Sequence, residues 1–75
     1  MGDPELRQGM RVKTVPRLHS TDGLLVHQKH LAARDNNKVG TLINWVPGHG
    51  GDVWFVEHED SSIAAYSFTE FVTLP

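Results

Sequence analysis

Residues 39 to 58 most constrain the fold of this chain, because they hold two strand-like runs separated by a glycine-rich turn. The runs VGTLINWV and VWFVEH are rich in β-branched and aromatic residues, which pack well on a pleated sheet. Between them, PGHGGD supplies glycines that adopt positive φ angles without steric cost. The sequence therefore predicts a β-hairpin with a wide turn over residues 47 to 52.

The first run of this hairpin alternates, so its side chains should divide between the two faces of a sheet. We expect Val39, Thr41, Ile43 and Trp45 on one face and Leu42, Asn44 and Val46 on the other. The chain has six aromatic residues, and a core this small needs two or three such rings, because aromatic side chains supply much of its burial.

Three further strands are predicted around the hairpin. GMRVKTV, residues 9 to 15, alternates with the period of a half-buried strand, and Pro16 ends it because proline has no N–H to donate. IAAYS follows the turn residues EDSS as a fourth strand. Ser67 and Glu70 then have the spacing of a capping box, which predicts one helical turn before a last strand, FVTL.

The long connection of residues 16 to 38 is the least determined segment. Connections of this length in compact domains usually carry function or structure of their own. Residues 24 to 26 could form a short buried strand, whereas HLAAR contains good helix formers. We favour a helical turn over residues 29 to 34, with Asn36 and Asn37 at its C-terminal end.

The length of 75 residues allows one domain with a thin core, which we place at residues 9 to 75. Residues 1 to 8 are predicted to be a disordered leader, because they have little to bury. A thin core favours a surface groove over an enclosed active site. The chain lacks cysteine, which excludes disulfides and thiolate metal sites. Without an apolar run long enough for a membrane span, or a signal peptide, the sequence predicts a cytoplasmic protein.

The order of these elements resembles the SH3-like small β-barrel. GMRVK is similar to its opening strand, VGTL to its second, VWFVEHED to its third with the following turn, and AAYSFTEFVTL to the rest. The long first loop is most similar in layout to the variable chain of ferredoxin–thioredoxin reductase, and more loosely to Tudor-like readers. The resemblance implies a mainly β, five-stranded barrel. A variable-chain likeness implies a non-catalytic subunit without a cofactor, packed against a partner that bears one.

Charge divides the chain into opposite halves. Residues 1 to 38 hold all seven Lys and Arg residues against four acids, a net charge of +3, whereas residues 39 to 75 hold five acids and no base. The two halves can attract each other in the fold or present a dipole to a partner. Because the aromatic residues lie in the acidic half, where phosphate is repelled, the pattern argues against nucleic acid as a ligand.

Neither metal binding nor hydrolysis is predicted. The spacing of His27 and His30 suits one helix face, but a zinc site needs three or four converging ligands. Ser61, Ser62, His58 and Asp60 are neighbours on a tight turn, where we expect side chains to diverge and to make turn hydrogen bonds.

The sequence therefore predicts a non-enzymatic protein-interaction module or accessory subunit that uses no cofactor and has a protein partner. Its expected contact surface combines the first loop, the hairpin turn and nearby aromatic residues: His27, Lys29, His30, Arg34, His49, Asp52, Trp45, Trp54 and Tyr66. The alternative is an aromatic-cage reader, in which Trp45, Trp54 and Tyr66 enclose a cationic or methylated side chain.

Overall fold

The computed structural model describes residues 6 to 75. Five strands carry most of the fold: β1 (Arg11–Thr14), β2 (Val39–Trp45), β3 (Val53–His58), β4 (Ile63–Ser67) and β5 (Phe71–Thr73). One short helix, α1 (Gln28–Ala32), lies in the long connection, and a 3-10 turn (Phe68–Glu70) precedes β5. The prediction of a mainly β chain with five strands and one helical turn before the last strand is confirmed.

The five strands form one antiparallel sheet in the order β4-β3-β2-β1-β5. The two edge strands, β4 and β5, are joined by the 3-10 turn and contribute to the same core. The sheet is therefore curled around its inner face, with both hairpins where the sequence predicted them.

The inner face of the sheet holds the main core cluster, to which every strand contributes. Its buried members are Val12, Leu42, Trp54, Val56, Ala64, Tyr66 and Phe71. Leu6 is half-buried and packs against this cluster, whereas residues 1 to 5 of the predicted leader lie outside the described residues. Buried apolar area of this kind stabilises by roughly 25 cal/mol per Å², so these seven side chains contribute to the stability of the domain.

A second, smaller cluster lies on the outer face of the sheet. Val53 and Ala65 are buried there with Val46, because alternate residues of a strand point to opposite faces. Leu24 and Val26 of the long connection pack over them beside Phe55. The connection of residues 16 to 38 therefore folds back across β3 and β4, and we call it the cover. As a result, β3 is buried on both faces.

The predicted division of β2 into two faces is wrong beyond its middle. A β-bulge shifts the register with β3 between Leu42 and Asn44, and an extra residue reverses the alternation after it. Leu42 consequently belongs to the inner cluster and Val46 to the outer one, although both were expected on one face. Before the bulge, Gly40 lies so close to β3 that a Cβ atom there would be 2.7 Å from the Glu57 carbonyl oxygen.

A helix in the connection is confirmed, although it begins and ends earlier than predicted. The helix ends with Ala33 as its C-cap residue, so the predicted ending at the asparagines is wrong. Asn37 instead has a φ of 55° in a separate turn, and the Asn36 side chain donates to the Pro16 carbonyl at 2.7 Å. Residues 24 to 26 follow a turn at Asp22 and Gly23 and do not form a strand, and the Leu25 side chain is 76% exposed.

Candidate functional site

The first loop and the hairpin turn, which were expected to share one surface, do lie against each other. The amide of Leu25 donates to Nε2 of His49 at 3.1 Å, so the turn anchors the loop. Asp52 is exposed at the end of the turn, and its carbonyl accepts a hydrogen bond from the Phe68 amide at 2.7 Å. The hairpin turn is thus linked both to the cover and to the 3-10 turn.

His27 and His30 both hold α1 in place. His27 is the N-cap residue, and its Nδ1 accepts a hydrogen bond from the Lys29 amide at 3.1 Å. His30 reaches β4, where its Nδ1 lies 2.9 Å from the carbonyl oxygen of Ile63. Its ring lies 4.9 Å from the ring of Phe55, measured between centroids. These contacts fix the helix against the outer face of the sheet.

Arg34 forms a buried ion pair with Glu70, a partner that no pattern in the sequence indicates. The two side chains are 4% and 2% exposed. The pair is bidentate, with Nη1 to Oε1 at 2.9 Å and Nη2 to Oε2 at 2.5 Å. The guanidinium also donates to the carbonyls of Ala65 at 2.7 Å and His19 at 3.1 Å. Arg34 therefore faces inward, where it joins the cover to the edge of β4.

Glu70 accepts hydrogen bonds from the backbone as well. The amide of Ser67 donates to it at 2.9 Å, as the capping box predicted, and the amide of His19 donates at 2.8 Å. Burial raises the pKa of the Glu70 carboxyl, but the bonds from Arg34, Ser67 and His19 outweigh it and hold the pKa below its ordinary value. Both carboxylate oxygens of Glu70 therefore accept hydrogen bonds.

The aromatic residues of the predicted surface divide between the core and solvent. Tyr66 is completely buried, and Trp54 is 7% exposed with its indole N–H donating to the Gly51 carbonyl at 3.0 Å. Trp45, which lies opposite Trp54 at the end of β2, is 49% exposed, and Phe68 is 47% exposed. Trp45, His49, Asp52 and Phe68 lie at the same end of the sheet, which we call the hairpin end.

A second polar network lies around His58 at the other end of β3. His58 is buried, and its Nε2 lies 2.7 Å from the hydroxyl of Tyr66. That hydroxyl accepts from the Asp35 amide at 2.8 Å and lies 3.0 Å from the Asp35 carbonyl oxygen. Thr14 donates to the same carbonyl at 2.8 Å and accepts from the Lys38 amide at 2.7 Å. The network thus ties β4 and β1 to residues 35 to 38.

The side chains of Asp60, Ser62 and His58 converge, so the expectation that they diverge is wrong. Nδ1 of His58 lies 2.8 Å from the Ser62 hydroxyl, which donates to Oδ1 of Asp60 at 2.6 Å. The convergence arises because Ser61 adopts a φ of 74° and turns the chain back within one residue. The serine lies between the acid and the histidine, however, which is not the order of a nucleophile activated by an oriented base. Turn hydrogen bonding, the predicted role, is confirmed.

A cleft of about 340 Å³ opens beside this network. Its walls are formed by residues around the start of β2 on one side and around the end of β3 on the other: Asn37, Lys38, Val39, His58, Glu59 and Asp60. Burial lowers the pKa of His58 below its ordinary value, and the Lys38 ammonium adds to this, whereas the Asp60 carboxylate opposes it. At neutral pH, His58 is therefore an uncharged group at the back of the cleft.

Within residues 6 to 75, no three histidine, aspartate or glutamate side chains converge as the ligands of a metal ion would. The same part of the chain has no helix that is long and apolar enough to cross a membrane. Comparisons with protein-family models, curated proteins and solved structures found no match for the chain.

Proposed function

We propose that this chain is a non-enzymatic interaction module or accessory subunit that binds a folded protein partner through the hairpin end. The observation that carries the proposal is the exposure of Trp45 and Phe68 at that end. A small domain gains stability by burying aromatic rings in its own core, so two half-exposed rings indicate another use. Tryptophan in particular is enriched among the residues that dominate binding energy at protein interfaces.

The absence of catalysis is part of the proposal, and the use of the polar side chains supports it. Arg34 and Glu70 are buried and paired with each other, and Ser62 donates to Asp60. His58 faces the buried Tyr66 hydroxyl. Groups engaged in this way are not free to act as nucleophile or base on a bound substrate.

We further propose that the domain is an SH3-like barrel located in the cytoplasm. Five antiparallel strands and the 3-10 turn before β5 support the first statement. Small barrels serve unrelated functions, so this fold adds no activity to the proposal. The cytoplasmic location rests on the lack of cysteine in the sequence.

The aromatic-cage reader remains the second candidate, because exposed aromatic rings and a carboxylate occur together at the hairpin end. Trp45 and Phe68 offer faces to a cation, and Asp52 offers a negative charge. A cage that includes Trp54 and Tyr66 would require both rings to leave the core. The cation would therefore bind to the exposed pair.

Binding should depend on Trp45 and not on an exposed apolar residue elsewhere. The full chain is immobilised, retained proteins are identified, and the purified partner is titrated by calorimetry against the chain and two variants. Trp45→Ala should weaken binding at least about tenfold, because it removes an interface anchor. Val72→Ala is the matched control, since Val72 is 56% exposed on β5, away from the hairpin end. Binding of a folded partner that is unchanged in Trp45→Ala would contradict the proposed surface.

The two candidates are separated by the size of the ligand. An interaction module needs the folded partner, whereas a reader should bind a short peptide with a trimethylated lysine and change the fluorescence of Trp45. Saturable binding of such a peptide, lost in Phe68→Ala, would favour the reader.

A further inference from the structure

A continuous series of four contacts at hydrogen-bond distance runs through the molecule from Asp60 to Asp35, and the proposed function does not use it. From the turn, Asp60 Oδ1 lies 2.6 Å from the Ser62 hydroxyl, which lies 2.8 Å from Nδ1 of His58. From the ring, Nε2 lies 2.7 Å from the Tyr66 hydroxyl, which lies 3.0 Å from the Asp35 carbonyl oxygen. Asp60 lines one wall of the cleft, and Asp35 lies two residues before Asn37 on the other wall, so these contacts connect the two sides through the interior.

The groups at both ends of this series of contacts can only accept hydrogen bonds. The Asp60 carboxylate has no proton to donate, and neither has the Asp35 carbonyl. Ser62 and Tyr66 each carry one hydroxyl proton, and a neutral imidazole carries one N–H. Four contacts therefore compete for three protons, and one contact must be left without a hydrogen bond while His58 is neutral.

The distances decide which contact is lost. If the neutral ring carried its proton on Nε2, Nδ1 and Asp60 would compete for the single Ser62 proton, and either the 2.8 Å or the 2.6 Å contact would be left without one. If the ring carries it on Nδ1, the Tyr66 hydroxyl donates to Nε2, and only the 3.0 Å contact with the Asp35 carbonyl is lost. That carbonyl still accepts from Thr14 at 2.8 Å. Neutral His58 is therefore the Nδ1–H tautomer.

A proton on Nε2 removes the competition. The imidazolium donates from Nδ1 to Ser62 and from Nε2 to the Tyr66 hydroxyl, whose own proton is then free to turn to the Asp35 carbonyl. The change is an uptake of one proton from solvent and a rotation about the C–O bond of Tyr66, and no covalent bond between heavy atoms breaks. All four contacts become hydrogen bonds.

We propose that His58, in one wall of the cleft, is a proton-binding switch that acts through Tyr66 on Asp35, which lies beside the other wall. In its neutral state the Tyr66 hydroxyl donates to His58, and in its protonated state the hydroxyl donates to the Asp35 carbonyl. Residues 58 to 60 form one wall of the cleft, and Asp35 lies two residues before Asn37 on the other wall. Uptake of a proton therefore reverses the His58–Tyr66 bond at one wall and adds a hydrogen bond at Asp35, beside the other.

Charged groups from each neighbouring segment set the pH of this switch. The turn contributes Asp60, which favours the imidazolium, and the segment before β2 contributes Lys38, which opposes it, and Asp35, which favours it. From β4 the ring meets the uncharged Tyr66, and opposite it in β2 lies Gly40. Burial disfavours the charged imidazolium more than the two carboxylates favour it. The pKa of His58 is therefore lowered, and the switch operates below the ordinary histidine pKa of 6.5.

Nitrogen-15 NMR of the full chain between pH 8 and pH 4.5 tests the proposal. The ring nitrogens of His58 should show the Nδ1–H tautomer at high pH. The amide signal of Asp35 and the ring signals of Tyr66 should shift with the same midpoint as His58. His58→Gln should abolish the shift of the Asp35 amide signal. His27→Gln should preserve it, because His27 contacts none of the groups that connect Asp60 to Asp35.

Three results would overturn the switch. The first is an Nε2–H tautomer in the neutral ring, and the second is an Asp35 amide that stays constant while His58 titrates. The third is unfolding of the domain before His58 takes up its proton, which would show that the network breaks instead of rearranging. The tautomer is measured on the unmodified chain, so the test does not depend on any variant folding.

Discussion

Glu70 accepts hydrogen bonds from three separate segments of the chain, through Arg34, Ser67 and the amide of His19. Only the bond with Ser67 could be predicted, because a capping box is a local pattern of four residues. The ion pair with Arg34 joins residues 36 positions apart, and no spacing in a single sequence identifies such a partner. Arg34 was therefore expected on the surface, where unpaired arginine is normally found.

Removal of one partner from this pair should be costly, because it leaves an uncompensated buried charge. We expect Glu70→Gln to lower the free energy of unfolding by about 3 to 5 kcal/mol, measured by urea denaturation. Lys38→Met is the control: its ion pair with Asp35 is half exposed at 3.8 Å, and such pairs contribute less than about 1 kcal/mol. Equal losses of unfolding free energy in the two variants would show that the buried pair contributes no more to stability than the exposed one.

At the scale of elements, the strands were predictable and the cover was not. The hairpins follow from alternation, β-branched residues and glycine turns, all of which are local. The packing of Leu24 and Val26 depends on the outer face of β3, which is distant in sequence. The bulge in β2 has no counterpart in the residue pattern. The candidate site shows the same limit, since His27, His30 and His49 were identified while their partners within the chain were not.

The cover should protect β3 from solvent. We expect the double variant Leu24→Ala/Val26→Ala to accelerate amide hydrogen exchange in Val53–His58, because it uncovers the outer cluster. Leu25→Ala between them should have little effect, since Leu25 is 76% exposed. Exchange is followed by NMR on the full chain. Similar acceleration by both changes would mean that the loop does not act through these contacts.

At the scale of the whole molecule, acid should destabilise the fold in two steps. His58 has a lowered pKa when folded, so the unfolded chain takes up a proton first as the pH falls below 6.5. Glu70 also has a lowered pKa, so it stabilises the fold above its ordinary value of 4.5, and this is lost as the pH falls through its folded value. Both groups make the free energy of unfolding rise with pH.

The urea midpoint should accordingly fall from pH 7 to pH 5, and fall further below pH 4.5. In His58→Gln the first decrease should become smaller than in the unmodified chain. A midpoint that is constant from pH 7 to pH 5 in the unmodified chain would be inconsistent with a buried, neutral His58.

The distance in sequence between Glu70 and its partners also sets an order of events during synthesis. Arg34 and His19 leave the ribosome 36 and 51 residues before Glu70. At about 5 to 20 residues per second, Arg34 is complete roughly two to seven seconds before its carboxylate exists. The hairpin of residues 39 to 58 depends on nearer contacts and can pair in that interval. We therefore expect the first loop to be the last part of the nascent domain to adopt its folded position.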